Sequence, residues 1–369
     1  MANDLVQRGF AVDMVLMRHE GELLPLLDER VQVVGLGTAR VRSVLPALTR
    51  YLRNRQPSAV LANMWPLTAL AVLAASCARA KCRLVLVEHI FWTRFAPSQG
   101  LLSRLMAGPS MRWLFPRATA RVAVSDGAAR DLEAFAKLAP GSVVSIGNPV
   151  TGLPPSLAAI APADIAPEWL LGDHRRLIAV GSFKEQKRFD RLLAAFASLA
   201  AHDGARLLIL GEGSERSMLE REAERLGVAD RVFMPGFVLD PRPFLAAADL
   251  FVLSSDFEGL PTVLIEALEQ GCPVVSTDCP SGPREILANG RFGALVPVGD
   301  VEALTKSMEE ALCSEHDREA LKLRAADFSV ARATDAYLDL LVPGWRQARL
   351  HQSQHDVHPE AAGAHSTDG

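Results

Sequence analysis

Short apolar runs alternate along the chain with longer segments of helical periodicity. Runs rich in Val, Leu and Ile fall at 11–17, 58–62, 83–88, 121–124 and 143–146, and resume after Pro149 at 176–181, 206–210, 231–234, 250–253, 273–276 and 294–296. Within these runs apolar residues follow one another rather than alternating with polar ones. That pattern predicts strands buried on both faces, as in the middle of a parallel sheet. Helical segments of about 10–15 residues separate most of them, and strand–helix alternation predicts parallel sheets with helices on both sides.

The stretch 148–172 is rich in Pro and Ala, carries no periodic pattern, and predicts a linker. The chain of 369 residues is long enough for a domain on each side of it. The expected division is a first Rossmann-like domain at 1–150, a linker at 151–172, and a second Rossmann-like domain at 173–345 ending in a helix at 330–341. A polar tail at 346–369 is expected to be disordered, with His351, His355, His358 and His365 as solvated residues or metal ligands. The fold class is therefore α/β, two doubly wound domains facing across a cleft, with ligands beyond the carboxyl ends of the strands.

Composition narrows the class. Hydrophobic residues make up 49% and charged residues 22%, the balance of a soluble globular protein. Aromatic content of 6% leaves the core to Leu, Val and Ala. The five cysteines, Cys77, Cys82, Cys272, Cys279 and Cys313, lack the paired spacing of a zinc site and predict reduced, mostly buried thiols. The first ten residues have no apolar signal-peptide core, and the longest apolar stretch, 67–78, is too short to span a bilayer. The expected location is cytoplasmic, with attachment at the inner membrane face left open. The net charge of −4 is unevenly divided: residues 1–150 carry 18 Lys and Arg against 10 Asp and Glu, leaving the acidic excess to the remainder. A basic half joined to an acidic half suggests different partners for the two domains, and drift in surface composition would give the same imbalance.

The chemistry is densest between Ser254 and Glu266. A buried strand ends at Leu253, a turn carries Glu258, Gly259, Leu260 and Pro261, and a helix begins near Thr262. Proline is tolerated in a first helical turn, where its missing N–H is not needed. The free N–H groups opening that helix, and its dipole, favour an anion such as a diphosphate. Glu258 lies before the helix and Glu266 more than a turn inside it, so the two carboxylates can serve different parts of one extended ligand. A capping acid and a solvated helix face would give the same pair.

This segment resembles the E-x7-E motif of retaining GT-B glycosyltransferases of the large family 4 group. The resemblance runs from about residue 5 to residue 340. Gly181, Ser182 and Lys187 lie in a segment similar to the family's first donor-domain strand and loop. Gly211 and Gly213 resemble its G-x-G turn, and Gly236 and Phe237 its base-contacting strand. Thr277 to Leu287, with Cys279, Pro280, Ser281, Gly282, Pro283, Arg284 and Glu285, resembles a signature of bacterial polysaccharide transferases. The resemblance implies that Glu266 binds the ribose hydroxyls, Glu258 the donor sugar, and Lys187 the departing diphosphate, with Gly259, Leu260, Pro261 and Thr262 bringing backbone close to the donor. Pro261 has no N–H to contribute. A solvated surface lysine is the bland alternative for Lys187.

Two exclusions follow. Arg216 stands where the third glycine of a dinucleotide fingerprint would be, so Gly211 and Gly213 read as a tight turn. The chain contains no Asp-x-Asp pair, which argues against metal-dependent GT-A transferases and implies neither metal nor cofactor. One departure weakens the match. Family members often carry Arg where this chain has Ser182, and Lys184 or Arg188 are the candidates to compensate.

In the first half, Glu88-His89-Ile90 resembles the family's E-H-N acceptor-domain element with Ile90 in place of Asn, which would put His89 beside donor sugar and acceptor. A hydrogen-bonded structural histidine is the rival reading. Ser125 resembles the next strand-to-helix turn, where it caps a helix, and Asn148-Pro149 the pair closing the acceptor domain. No acidic residue lies between Glu88 and Asp126, while Arg94, Arg104, Arg112 and Arg117 are interleaved with Phe91, Trp92, Phe95, Leu101, Leu102, Leu105, Met106, Trp113, Leu114 and Phe115. Residues 91–117 thus suit an anionic membrane surface or a lipid-diphosphate acceptor, as well as an ordinary amphipathic helix packed on its own domain.

Residues 3–13 resemble the helix and second strand that follow the family's Gly-rich loop, so that loop and the strand before it have no counterpart. Neighbouring strands are expected to be left unpaired and activity to be weak. The resulting expectation is a retaining transferase moving a hexose or N-acetylhexosamine from a nucleotide sugar, UDP-linked, to a glycan or lipid-linked acceptor for cell-surface polysaccharide, with no nucleic-acid partner. An inactive sugar-nucleotide-binding protein and a GT-B-type sugar-nucleotide epimerase are the alternatives.

Overall fold

The computed structural model describes residues 1–347 except 22, 99 and 151–160. The histidine tail and the middle of the expected linker lie outside the described residues. Twelve strands are described, all in parallel pairs. In the first half they are β1 (Asp13–Leu16), β2 (Gln32–Gly35), β3 (Ala59–Asn63), β4 (Arg83–Glu88), β5 (Ala120–Ala123) and β6 (Val144–Ser145). In the second they are β7 (Arg176–Val180), β8 (Arg206–Leu210), β9 (Val232–Gly236), β10 (Leu250–Leu253), β11 (Val274–Thr277) and β12 (Ala294–Val296).

The second-half sheet has the order β12-β11-β10-β7-β8-β9. The chain lays β7, moves outward through β8 and β9, then returns past β7 to place β10, β11 and β12 on the other side. The order therefore reverses between β7 and β10. Loops leaving two neighbouring strands in opposite directions open a crevice at their carboxyl ends, and ligands of doubly wound sheets bind there. The sheet is buried on both faces. Ile178, Leu208 and Phe251 pack on one side with Phe244, Leu264 and Ile265. Leu177, Ile209 and Val252 pack on the other with Phe183, Phe196 and Met308.

The first-half strands form two separate sheets, β1-β2 and β3-β4-β5-β6. Among the described residues, β1 pairs only with β2 and β3 only with β4. Accordingly β1 is half-buried along its length, whereas β4 is buried from Leu84 to Glu88.

Four expectations need correction. The strand β2 was not foreseen; at four residues flanked by polar positions it is too short to register as a run. The expected linker is not structureless to 172: Pro162–Ile165 and Pro167–Leu170 form helical turns, each opened by a proline at the first position, where its fixed φ fits. Trp169 is fully buried and its indole N–H donates to the Leu177 carbonyl at 3.0 Å, which docks this stretch on the second domain. The final helix, Val330–Leu341, packs on the first-domain sheet rather than with residues 173–345. Its Ala333, Tyr337 and Leu341 join Val85, Val87 and Val122, Arg83 Nε donates to the Leu340 carbonyl at 2.7 Å, and Asp335 pairs with Arg8. The chain thus returns to its first half, tying the domains at a second point. Of the cysteines, Cys272 and Cys279 are buried but Cys77 and Cys313 are exposed, so the thiols are not mostly buried. Among the described residues no helix is long and apolar enough to cross a membrane.

Candidate functional site

The loop after β7 and the loop after β10 meet at the reversal point. Gly181 follows β7, and a single 3-10 turn, Glu185–Lys187, comes next. That turn is stitched to the β10 loop by backbone and side chain: the Asp256 N–H donates to the Gln186 carbonyl at 2.9 Å, Gln186 Nε2 to the Phe257 carbonyl at 2.7 Å, and Ser254 Oγ to the Lys187 carbonyl at 2.7 Å. These bonds fix Lys187 opposite Glu258. The Lys187 ammonium lies 2.7 Å from Glu258 Oε1, and Ser255 Oγ donates to the same oxygen at 2.6 Å. Both members of the pair are largely buried, so neither reads as a solvated surface charge. Gly181 lies directly beneath the lysine stem, since a Cβ there would come within 3.0 Å of Lys187 Cε.

Glu266 faces another neighbourhood. It projects from the second turn of the helix Thr262–Glu269. Burial, reinforced by the carboxylates of Glu269 and Asp240 and opposed by Arg242, pushes its carboxyl up to about 7. Asp240 and Arg242, ion-paired at 2.5 Å, follow β9, whose end carries Gly236 and Phe237. Phe237 is 67% exposed, a large aromatic face standing free beside this carboxylate group. The two glutamates of the motif therefore point to opposite ends of the crevice, Glu258 toward β7 and Glu266 toward β9.

Gly211 and Gly213 have a structural reason to be glycine. A Cβ on Gly211 would sit 1.9 Å from the Gly181 carbonyl oxygen, and one on Gly213 2.4 Å from that of Phe183. They let the β8 turn press against the β7 loop. Arg216 locks this turn by pairing with Glu212 and donating to the Met234 carbonyl at 3.0 Å, and its guanidinium lies over the Phe183 ring. Ser182 contributes no charge. Arg188 is held by Asp190 at 2.8 Å, and Lys184 is exposed.

The first domain closes the crevice from the other side. His89 follows β4, and its carbonyl oxygen is so near Gly259 that a Cβ there would lie 2.0 Å away. Its Nδ1 is 3.1 Å from Asn148 Oδ1 and its Nε2 3.2 Å from Asn63 Oδ1. Burial lowers the imidazole's pKa, partly offset by the Asn148 bond. The ring is thus hydrogen-bonded to Asn148 and Asn63, as the structural reading expected, and its backbone carbonyl abuts Gly259, the neighbour of Glu258. Behind it, Glu88 is buried, accepts from Thr68 Oγ1 at 2.8 Å, and is pushed by burial up to about 7.

Several contacts at this junction were not legible as partners in the sequence. Ser125, at the N-cap of Asp126–Ala136, accepts from the Ala128 N–H at 3.1 Å as expected, but its hydroxyl also donates to the Gly259 carbonyl at 2.9 Å. Ser281 Oγ lies 2.8 Å from the same carbonyl oxygen and against Ser125 Oγ, so two hydroxyl protons serve three close contacts, and Ser281 holds a left-handed φ of 72° there. Glu285 accepts from the Asp126 and Gly127 N–H groups, both at 2.9 Å, so a carboxylate of one domain caps a helix of the other. Leu260 and Pro261 are buried at this contact, leaving Thr262 and the helix opening nearest the crevice. Among the described residues no group of three His, Cys, Asp or Glu side chains could hold a metal ion.

Residues 164–328 match the family described as Glycosyl transferases group 1, and residues 1–151 match Glycosyltransferase Family 4. A lipopolysaccharide core biosynthesis glycosyltransferase of Rhizobium meliloti, LpsE, is 40% identical over 170 residues, 45% of this chain and 49% of that protein. The matches to this and the next such relative span about half the length of each. WaaG, a glycosyltransferase involved in lipopolysaccharide biosynthesis, has a similar structure with TM-score 0.67 and 20% identity, covering 93% of this chain and 94% of that one. Anabaena HepE in complex with UDP-glucose gives TM-score 0.65 at 20% identity, covering 92% and 91%. The fold is GT-B.

Proposed function

Since the chain belongs to the glycosyltransferases of the group 1 and family 4 type, we propose that it transfers a sugar from a nucleotide-sugar donor to a glycan or lipid-linked acceptor in cell-surface polysaccharide biosynthesis. The observation that carries this reading is the Lys187–Glu258 pair at the reversal point, with His89 across the crevice. Donor cleavage breaks the bond between the anomeric carbon and the diphosphate, and negative charge develops on the departing phosphate. Lys187 is the cation placed to take up that charge, and preorganised charge of this kind is commonly the largest catalytic term. Glu258 faces the sugar, where positive charge develops. Glu266 and Phe237 lie at the other end, suited to a ribose and a base. The UDP-glucose complex of the similarly folded HepE supports a uridine donor. In our reading the anomeric configuration is retained: the leaving phosphate takes the acceptor proton and the acceptor oxygen bonds the same face of the sugar. Closure of the domains excludes water and favours transfer over hydrolysis.

The test is a panel of UDP-, GDP- and ADP-sugars assayed for nucleotide release. Wild type is expected to release UDP from one donor, and Glu258→Ala to bind that donor without releasing it. Failure of every nucleotide sugar to bind would sink the proposal. A second reading, a nucleotide-sugar-binding protein without turnover, is favoured by the uncharged Ser182 and by the engagement of Lys187 with Glu258. Tight donor binding without release by wild type, with any acceptor, would select it.

A further inference from the structure

The helix Leu101–Leu114 presents its apolar residues to solvent. Leu101 and Leu102 are each 72% exposed, Leu105 63%, Met106 52% and Trp113 69%. At 100° per residue these five positions cover one continuous arc, while Ala107 and Met111 on the opposite side are buried against the domain. The domain-packing reading therefore accounts for the small face of this helix and leaves the large apolar face uncovered. Scattered exposed leucines are ordinary, but five large apolar side chains on one helical arc form a contiguous patch of the kind that marks an interaction surface.

The charge around the patch selects its partner. In the same projection Arg104 lies beside one edge of the arc and Arg112 within it, next to Leu101 and Leu105, while Arg117 follows in the next turn and Arg94 lies on the preceding one; all four are exposed. Among the described residues none of them has a carboxylate partner, and no acidic residue occurs between Glu88 and Asp126. An apolar arc with guanidiniums within and beside it and no carboxylate nearby in the sequence matches the interface of an anionic bilayer, where acyl chains take the apolar face and headgroup phosphates the cations. A second copy of the chain would bring like-charged rims together, and the patch offers it no carboxylates.

We propose that the helix Leu101–Leu114 docks this protein on an anionic membrane surface, lying in the plane of the bilayer with Leu101, Leu102, Leu105, Met106 and Trp113 inserted. At about 1.5 Å per residue the helix is about 21 Å long, and its apolar face reaches about 5–10 Å into the headgroup boundary. The surface stands independently of the proposed transfer reaction.

Flotation of the full chain with vesicles of phosphatidylcholine containing about one-third phosphatidylglycerol tests this. Wild type is expected to bind these vesicles at least about tenfold more tightly than phosphatidylcholine alone, since each arginine near an anionic surface strengthens binding about fivefold. Leu105→Asp with Trp113→Asp should reduce binding at least about tenfold, as should Arg104→Glu with Arg112→Glu, because both the apolar arc and its rim contribute. All four residues are exposed, so melting temperatures serve as the control that each variant is folded. Trp113 fluorescence should shift to the blue on vesicle addition, and Trp113→Phe should bind without that shift. Three results would overturn the proposal: equal binding of wild type to charged and neutral vesicles, equal binding by folded variants, or a wild-type dimer that becomes monomeric in the Leu105→Asp, Trp113→Asp variant without any vesicle binding.

Discussion

The two halves share strand–helix alternation and differ in how completely their sheets are joined. In the second half six parallel strands form one sheet, buried on both faces, with the strand-order reversal at its centre. In the first half two strands and four strands form separate sheets, and the strand on one side of the break is half-buried. Parallel strands derive their stability from cover on both faces and pairing on both edges. The difference teaches that the chemistry and the rigidity lie together in the second half, while the first half supplies contacts: His89, the cap of Asp126–Ala136, and the arginine-rimmed helix.

The largest expected effect follows from that placement. Lys187→Ala should lower kcat by about 10²–10³, the usual loss when one preorganised charge-stabilising group is removed. The melting temperature should also fall, because the largely buried Glu258 carboxylate then keeps Ser255 but loses its counter-charge, so the kcat loss is read at a temperature where the variant is folded. His89→Ala should cost less, since its ring acts from the first domain on neutral partners. If His89→Ala were the more damaging, the chemistry would be shared evenly and the comparison would fail.

Two glycine substitutions separate stability from assembly. Gly211→Ala drives a Cβ into a backbone oxygen of its own domain, 1.9 Å away, and should destabilise the second half by about 3 kcal/mol. Gly259→Ala drives an equally close contact, 2.0 Å, against the His89 carbonyl of the other domain. There the domains can part without unfolding. Thermal denaturation should show a clear loss for the first and little for the second, whereas X-ray scattering should show an enlarged radius of gyration only for the second. The reverse pattern would mean that the domain junction, not the second sheet, is the rigid element.

How much of this was legible depended on whether a residue's role is local. The strands at 83–88, 206–210, 250–253 and 294–296 and the helix at 330–341 were read with the bounds they have; at 83–88, 206–210 and 250–253 near-continuous burial writes itself into consecutive apolar residues, and in the helix the apolar positions recur at helical spacing. The partner of that helix was not legible: its apolar positions specify that it packs, and nothing in them names the first-domain sheet. The Glu258 and Lys187 placements follow from loops after adjacent strands, so sequence motifs sufficed to name them, although 71 positions separate the two. Ser281 and Glu285 were named only as members of a signature and Asn63 not at all, because each acts on a residue distant in sequence, and neither spacing nor residue type announces such a partner. Gly211 and Gly213 read correctly as a tight turn, and the structure adds the oxygen each avoids.

The halves also each bury one carboxyl whose pKa burial raises to about 7, Glu88 in the first and Glu266 in the second. A carboxyl with a raised folded-state pKa holds its proton more tightly when folded. Its contribution to stability is full below its ordinary value near 4.5 and is lost as pH rises toward about 7. Stability should therefore fall between pH 4.5 and 7, by on the order of 1 kcal/mol per pH unit from Glu88 alone. Glu88→Gln should flatten that slope in denaturant melts, and Glu266→Gln should flatten it while also weakening nucleotide binding. An unchanged slope in Glu88→Gln would show that the first half is loose enough there to hydrate the carboxylate.

The smallest effect tests the junction itself. Ser125 has two roles that different substitutions divide: its oxygen accepts from the Ala128 N–H inside the first domain, and its proton goes to the Gly259 carbonyl of the second. Ser125→Ala removes both and should cost about 1 kcal/mol. Ser125→Asp keeps an N-cap acceptor as good as serine, yet an ionised carboxylate has no proton for Gly259 and stands beside that carbonyl and the Glu285 carboxylate. If the cap dominates, Ser125→Asp should melt within a few tenths of a kcal/mol of wild type while the domains open and turnover drops. Equal stability losses in Ala and Asp variants would instead place the hydroxyl's main contribution in the contact between domains, and the first half would then owe part of its order to the second.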